Sequence, residues 1–99
     1  MDNMASIDSY VFETLMTDLV GHDRKPSAYL VYLAIWASGN GGRVALSHAQ
    51  LAEKTGLSKR SVQNAVAHLV RRELLKTERA GLTDTPRYLP QKPWRRWMR

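Results

Sequence analysis

Apolar residues recur along the chain at helical spacing in some stretches and in short extended runs in others. Val11, Phe12, Leu15, Met16 and Leu19 stand one, three or four apart, while Glu13, Thr14, Thr17 and Asp18 fill the other side. That spacing predicts an amphipathic helix over residues 6–20, ended by Gly21 and the polar run "HDRKP". Residues 28–37 are apolar on every side, which predicts a helix capped by Ser27 and closed by "SGNGG". A helix apolar all round belongs at the centre of a core, or is shared between the core and a second subunit.

Residues 43–46, "RVAL", read as a short strand. Ser47 with Gln50 three residues on forms a capping-box pattern, and Ala49, Leu51 and Ala52 supply the apolar face of the helix it opens. Gly56 stands where a residue of positive φ is wanted, Leu57 plugs the turn, and Ser58 caps another helix. That helix is expected over residues 59–72, with Val62, Ala65, Val66 and Leu69 as its buried stripe. Residues 74–79 read as a strand, 80–86 as a loop and 87–89 as the returning strand, whose pairing Pro90 ends. The tail "QKPWRRWMR" is basic and aromatic. The order is α-α-β-α-α-β-β, a mainly α (α+β) chain.

With 99 residues the chain fits one domain: a helical extension (1–26), a core (27–90) and the tail (91–99). It has no cysteine, so neither disulfides nor thiolate metal sites are available. The N-terminus has no basic start and no apolar h-region, and the ten-residue apolar run is half a membrane span. No membrane association is expected, and a cytoplasmic location is. The net charge of +6 is unevenly placed: residues 1–46 hold three basic and five acidic groups, residues 47–99 twelve and four. Such asymmetry favours a polyanionic partner, although solubility alone would explain a charge surplus equally well.

Stepping 100° per residue from Val62 points Arg60, Asn64, Ala67 and Arg71 away from the core. Gln63 falls on one flank, Ser61 and His68 on the other. A helix fits the major groove of B-DNA, where Arg pairs with guanine and Asn or Gln with adenine. Ser58 and Ser61 can hydrogen-bond phosphates, and the helix start offers free N–H groups. Any surface helix is polar, so the face alone decides little. Two features shift the balance: no acid occurs from Thr55 through Arg72, and a short capped helix and glycine turn precede at helix-turn-helix spacing.

The stretch "LSHAQLAEKTGLSKRSVQNAVAHLVRRELLKTER" resembles the winged helix-turn-helix of small prokaryotic DNA-binding proteins, similar to regulators of the MarR and GntR type. Leu51-Ala52, Gly56-Leu57-Ser58 and Ser61-Val62 carry the likeness, with Leu69, Leu74 and Leu75 leading into the wing. The part upstream resembles the lead-in of phage and plasmid replication proteins with this domain. The resemblance implies a three-helix core with a β-hairpin wing, and an N-terminal helix beside it. It implies that residues 58–64 enter the major groove of double-stranded DNA. Ser47 and His48 would lie near a phosphate, and Arg79 and Arg87, on the hairpin from Lys76 to Tyr88, would reach the backbone or minor groove. Asp84 at the wing tip departs from this pattern, because an acid there repels phosphate.

Arg60, Gln63 and Asn64 are thus expected to read bases. Lys59, Arg71, Arg72, Arg79 and Arg87 are expected to neutralise phosphates, with Lys76 and His68 nearby and Arg95 and Arg96 of the tail reaching the backbone. Trp94 and Trp97, three apart, would dock the tail on the domain or on another subunit. Tyr29, Tyr32 and Trp36 read as core. His22, His48 and His68 fall in different elements without metal-ligand spacing, so no metal and no cofactor are expected. No nucleophile motif or paired carboxylates occur, and no enzyme is expected. No small-molecule effector is indicated. Three roles remain open: a transcriptional regulator, a replication or partition protein of a phage or plasmid, and a protein-interaction module. A homodimer is expected, since one winged helix buries only ~600–1,000 Å² on DNA.

Overall fold

The computed structural model describes residues 6–79, 81 and 84–97, the side chain of Trp97 excepted. Among the described residues two π-helical segments come first, Val11–Leu15 and Thr17–His22, joined through Met16. Their i→i+5 bonds widen each turn beyond 3.6 residues, so positions four apart stay nearly in line. Val11, Leu15 and Leu19 therefore form a narrow buried row. Phe12 and Met16, which α-helical spacing places on the same apolar face, are exposed.

Helix α1, Pro26–Gly39, runs back antiparallel to these segments, since Trp36 meets Ser6, Tyr29 meets Val11 and Lys25 meets Leu19. Its start differs from expectation: Ser27 does not cap it, because Pro26 takes the first helical position and Lys25 the cap. Proline is suited there, where its missing N–H costs nothing. Ala28, Tyr29, Val31, Tyr32, Ile35 and Trp36 are all buried, so α1 is the axis of the core. The tyrosines and tryptophan spend their polar atoms on backbone carbonyls. Tyr29 donates to Val11 O at 3.0 Å, Tyr32 to Gln91 O at 3.1 Å and Trp36 Nε1 to Ser6 O at 2.9 Å. Asn40 ends α1 in the left-handed region, and Gly41 follows at φ 85° with the Trp36 ring 3.2 Å from where a Cβ would stand. That position excludes any side chain twice over.

Strand β1 (Val44–Ala45), helices α2 (His48–Thr55) and α3 (Lys59–Arg71), and strands β2 (Leu75–Glu78) and β3 (Arg87–Pro90) complete the winged helix-turn-helix. The sheet order is β1-β3-β2, antiparallel throughout, with Thr77 and Val44 both opposite Tyr88. Helices α1, α2 and α3 enclose Leu51, Val62, Ala65 and Leu69, while buried Leu75 and Tyr88 face the core from the hairpin.

The short helix α4, Trp94–Trp97, brings the tail back onto the N-terminal segment. Trp94 is buried and stacks on Tyr10 at 4.6 Å and Trp36 at 6.4 Å between centroids. Tail and extension are thus packed on the helix-turn-helix core. Among the described residues, no helix is long and apolar enough to cross a membrane.

Candidate nucleic-acid interface

The site is built by two caps and one turn. Ser47 Oγ accepts from Gln50 N at 3.0 Å, and Gln50 Oε1 accepts from Ser47 N at 2.8 Å, a complete capping box. At the other end of α2, Thr55 Oγ1 donates to Leu51 O at 2.7 Å and accepts from Leu57 N at 3.2 Å. Gly56 takes φ 79° between them, a conformation that a Cβ would strain. Thr55 is a turn residue that sequence reasoning passed over. Ser58 Oγ accepts from Ser61 N at 3.0 Å and starts α3. A cap of this kind contributes about 1 kcal/mol and holds the direction of the helix start.

From that start, Lys59, Arg60, Gln63, Asn64, Ala67 and Arg71 are all exposed, while Val62, Ala65 and Leu69 are buried. No carboxylate of the described residues pairs with Lys59, Arg60 or Arg71. The row therefore combines two guanidinium groups, an ammonium and two carboxamides around a small central residue. Those are the groups that read base edges and phosphates.

Three residues expected on this face are engaged elsewhere. Ser58 donates its own hydroxyl proton to Ser61 Oγ at 3.1 Å, so its side chain serves the cap rather than a phosphate. His68 is half-buried, and its Nε2–H donates to Asp23 Oδ2 at 2.8 Å. Arg72 also binds Asp23, and reaches Asp18 at 3.7 Å. Asp23 further accepts from His22 at 2.9 Å. Burial raises the Asp23 pKa, but hydrogen bonds from His22 and His68 and the charge of Arg72 outweigh it and bring the group to about 2. His68 and Arg72 thus tie the end of α3 to the N-terminal segment, His68 largely covered and Arg72 still 36 % exposed.

On the hairpin, Lys76, Arg79 and Arg87 are exposed. Arg43, reaching across from beside β1, binds Glu78 through two bonds of 2.9 and 3.2 Å, which removes the acid of β2 from play. His48 lines a shallow cleft with Val66, Arg79 and Tyr88, at the junction of α2 and the wing. Asp84 is exposed in the wing loop. Ala80, Leu82 and Thr83 of the expected tip lie outside the described residues, as do Met98 and Arg99 of the tail.

The tail divides. Arg96 is exposed. Arg95 donates from Nε and Nη2 to the two oxygens of Asp8, at 2.7 and 2.8 Å, and Trp94 Nε1 donates to the same carboxylate at 2.9 Å. The Arg95 hydrogen bond leads in holding Asp8 down at about 2. Arg95, expected to reach towards DNA, is therefore neutralised within the chain. Asp8 and Asp23 organise two of these contacts, yet neither stands in a motif. Their partners lie 87 and 45 residues away, so no local pattern announces them.

Compared with known families, residues 25–75 match the sequence model of a helix-turn-helix domain. The match runs from the N-cap of α1 to the first residue of β2 and covers just over half of the chain. Searches of curated proteins and of solved structures returned no match.

Proposed function

The chain belongs to the helix-turn-helix domain family, which supports DNA binding in general, and from that premise we propose that it binds double-stranded DNA sequence-specifically as a transcriptional regulator. The observation that carries this is the exposed row Arg60, Gln63 and Asn64 at the capped start of α3, with no acid beside it. In the proposal α3 lies in the major groove. Arg60, Gln63 and Asn64 contact base edges, and Ala67 allows close approach. Ser61, Lys59 and Arg71 meet the flanking phosphates. Ser47 and His48 approach the backbone from the start of α2, and Lys76, Arg79 and Arg87 do so from the hairpin. Arg96 extends the basic surface. Asp84 keeps the wing loop from deep insertion, since an acid there repels the backbone.

The whole chain acts as one domain, with no catalytic role, and its binding form is a homodimer on two half-sites. A replication or partition protein would use the same contacts and differ only in where its sites lie. A footprint over promoter elements supports the regulator, and one over origin repeats the replication role.

Fluorescence anisotropy of a labelled duplex, titrated at two salt concentrations, tests the reading. Binding should weaken steeply as salt rises. Arg60→Ala with Asn64→Ala should lose a further ~1–3 kcal/mol per base contact on a selected site. If a folded protein shows no binding at low salt, or the double variant binds as the parent does, α3 is not the reading element. The domain then serves protein contacts.

A further inference from the structure

The N-terminal helical segment has two unlike flanks. One carries Asp18 and turns to α3 through Arg72. The other carries Phe12, Met16 and Val20, 48, 39 and 39 % exposed, in an unbroken apolar row. On α1, Tyr29 bonds the segment at Val11 and Trp36 bonds Ser6 just before it. Continuing around α1 away from the core, at 100° per residue, come Leu33, Ala37 and Leu30. Leu30 is 43 % exposed. The two helices run antiparallel, so these rows adjoin, and together they leave a continuous apolar surface on the side of the segment that faces away from α3. The exposed side chains there form one apolar patch rather than scattered single residues.

We propose that this surface is where two copies of the chain meet, packed about a two-fold axis with their N-terminal segments antiparallel. The occupant follows from charge. A nucleic acid or anionic lipid would need a basic surplus, and residues 1–46 carry five acidic against three basic groups. What rims the row is one sign at each end: Glu13 near its start, Arg24 and Lys25 just past its end, all exposed. An antiparallel copy sets Glu13 of each chain towards the bases of the other. That is the self-complementarity an isologous contact requires. The Asp23 bonds to His68 and Arg72 then hold each α3 to the paired segments, so the dimer fixes the spacing of two reading helices. The inference rests on the dimeric part of the functional proposal, and its test uses no DNA.

Sedimentation equilibrium of the full chain should give the mass of two 11.3 kDa chains at high micromolar concentration. Phe12→Ser with Met16→Ser should weaken association at least about a hundredfold, with the circular dichroism of the parent retained. Glu13→Lys alone, and Arg24→Glu with Lys25→Glu alone, should each dimerise poorly, whereas an equimolar mixture of the two should form heterodimers. That mixture decides the matter even if the serine variant unfolds. A parent that remains a single chain overturns the proposal, as does a dimer indifferent to the Phe12 and Met16 changes or a mixture that forms no heterodimer. Arg60→Ala with Asn64→Ala should leave the dimer intact, which separates failure of this interface from failure of DNA reading.

Discussion

Glu73 ends α3 with φ 58°. Leu74 N donates to Leu69 O at 2.9 Å and Glu73 N to Val70 O at 3.0 Å, while Leu69 and Leu74 are both buried. This is a Schellman end with glutamate where glycine is usual. A side chain in that region costs about 1–2 kcal/mol, against about 0.5–1 kcal/mol for the extra freedom of an unfolded glycine. Glu73→Gly should therefore stabilise the chain by about 0.5–1 kcal/mol in urea unfolding, and Glu73→Ala, which keeps the Cβ, should not. Glycine marks the end of α2 in the sequence; no such mark stands at the end of α3. Ser58 shows the converse: its cap was legible, but not that its hydroxyl is used up on Ser61.

Elements are held in place by carboxylates. Asp23 clasps α3 through His68 and Arg72, and its side chain is only 6 % exposed. Its folded pKa of about 2 lies below the ordinary 3.8. The lowered value means that the charged form is favoured by folding. The stability it adds is complete above about pH 5 and disappears as pH falls through 3.8 towards 2, on the order of 2 kcal/mol in all. Asp8 at about 2 adds in the same direction. Denaturant unfolding followed from pH 6 to pH 2 should show this loss, and Asp23→Asn should be less stable at pH 6 with a flatter acid limb. Trp94 is the corresponding anchor of the tail, 2 % exposed between Tyr10 and Trp36. Trp94→Ala should cost about 3–5 kcal/mol, and the near-ultraviolet circular dichroism expected from the ring stack should be lost with it.

Across the whole molecule, the acidic N-terminal half neutralises bases of the other half that lie away from the reading face. Asp8 takes Arg95, and Asp18 and Asp23 take Arg72. Exposed basic groups remain at the start of α3 and along the hairpin, at Lys59, Arg60, Lys76 and Arg87. Salt dependence of DNA binding should register this sorting. Lys59→Ala should reduce the slope of log affinity against log salt by about one unit, whereas Arg95→Ala should leave it unchanged. Equal effects from the two would mean that Arg95 leaves Asp8 to reach the backbone.

What the sequence by itself determined is everything carried within a few residues. The Ser47–Gln50 box, the Gly56 turn, the Ser58 cap and the i, i+3, i+4 stripe of α3 depend on bonds and spacings inside one or two turns. They were enough to establish the helix-turn-helix and the outward row Arg60, Asn64, Ala67 and Arg71. Tertiary structure decided what depends on distant partners. Which charges pair with His68, Arg72 and Arg95 was set by Asp23 and Asp8, 45, 49 and 87 residues away. β3 came to lie between β1 and β2 because the hairpin folds back on a strand thirty and more residues earlier. Phe12 and Met16 were turned outward by a change in helical pitch that composition does not encode. Local propensity selects elements; which charges remain free and which apolar rows remain uncovered is fixed only when the elements meet.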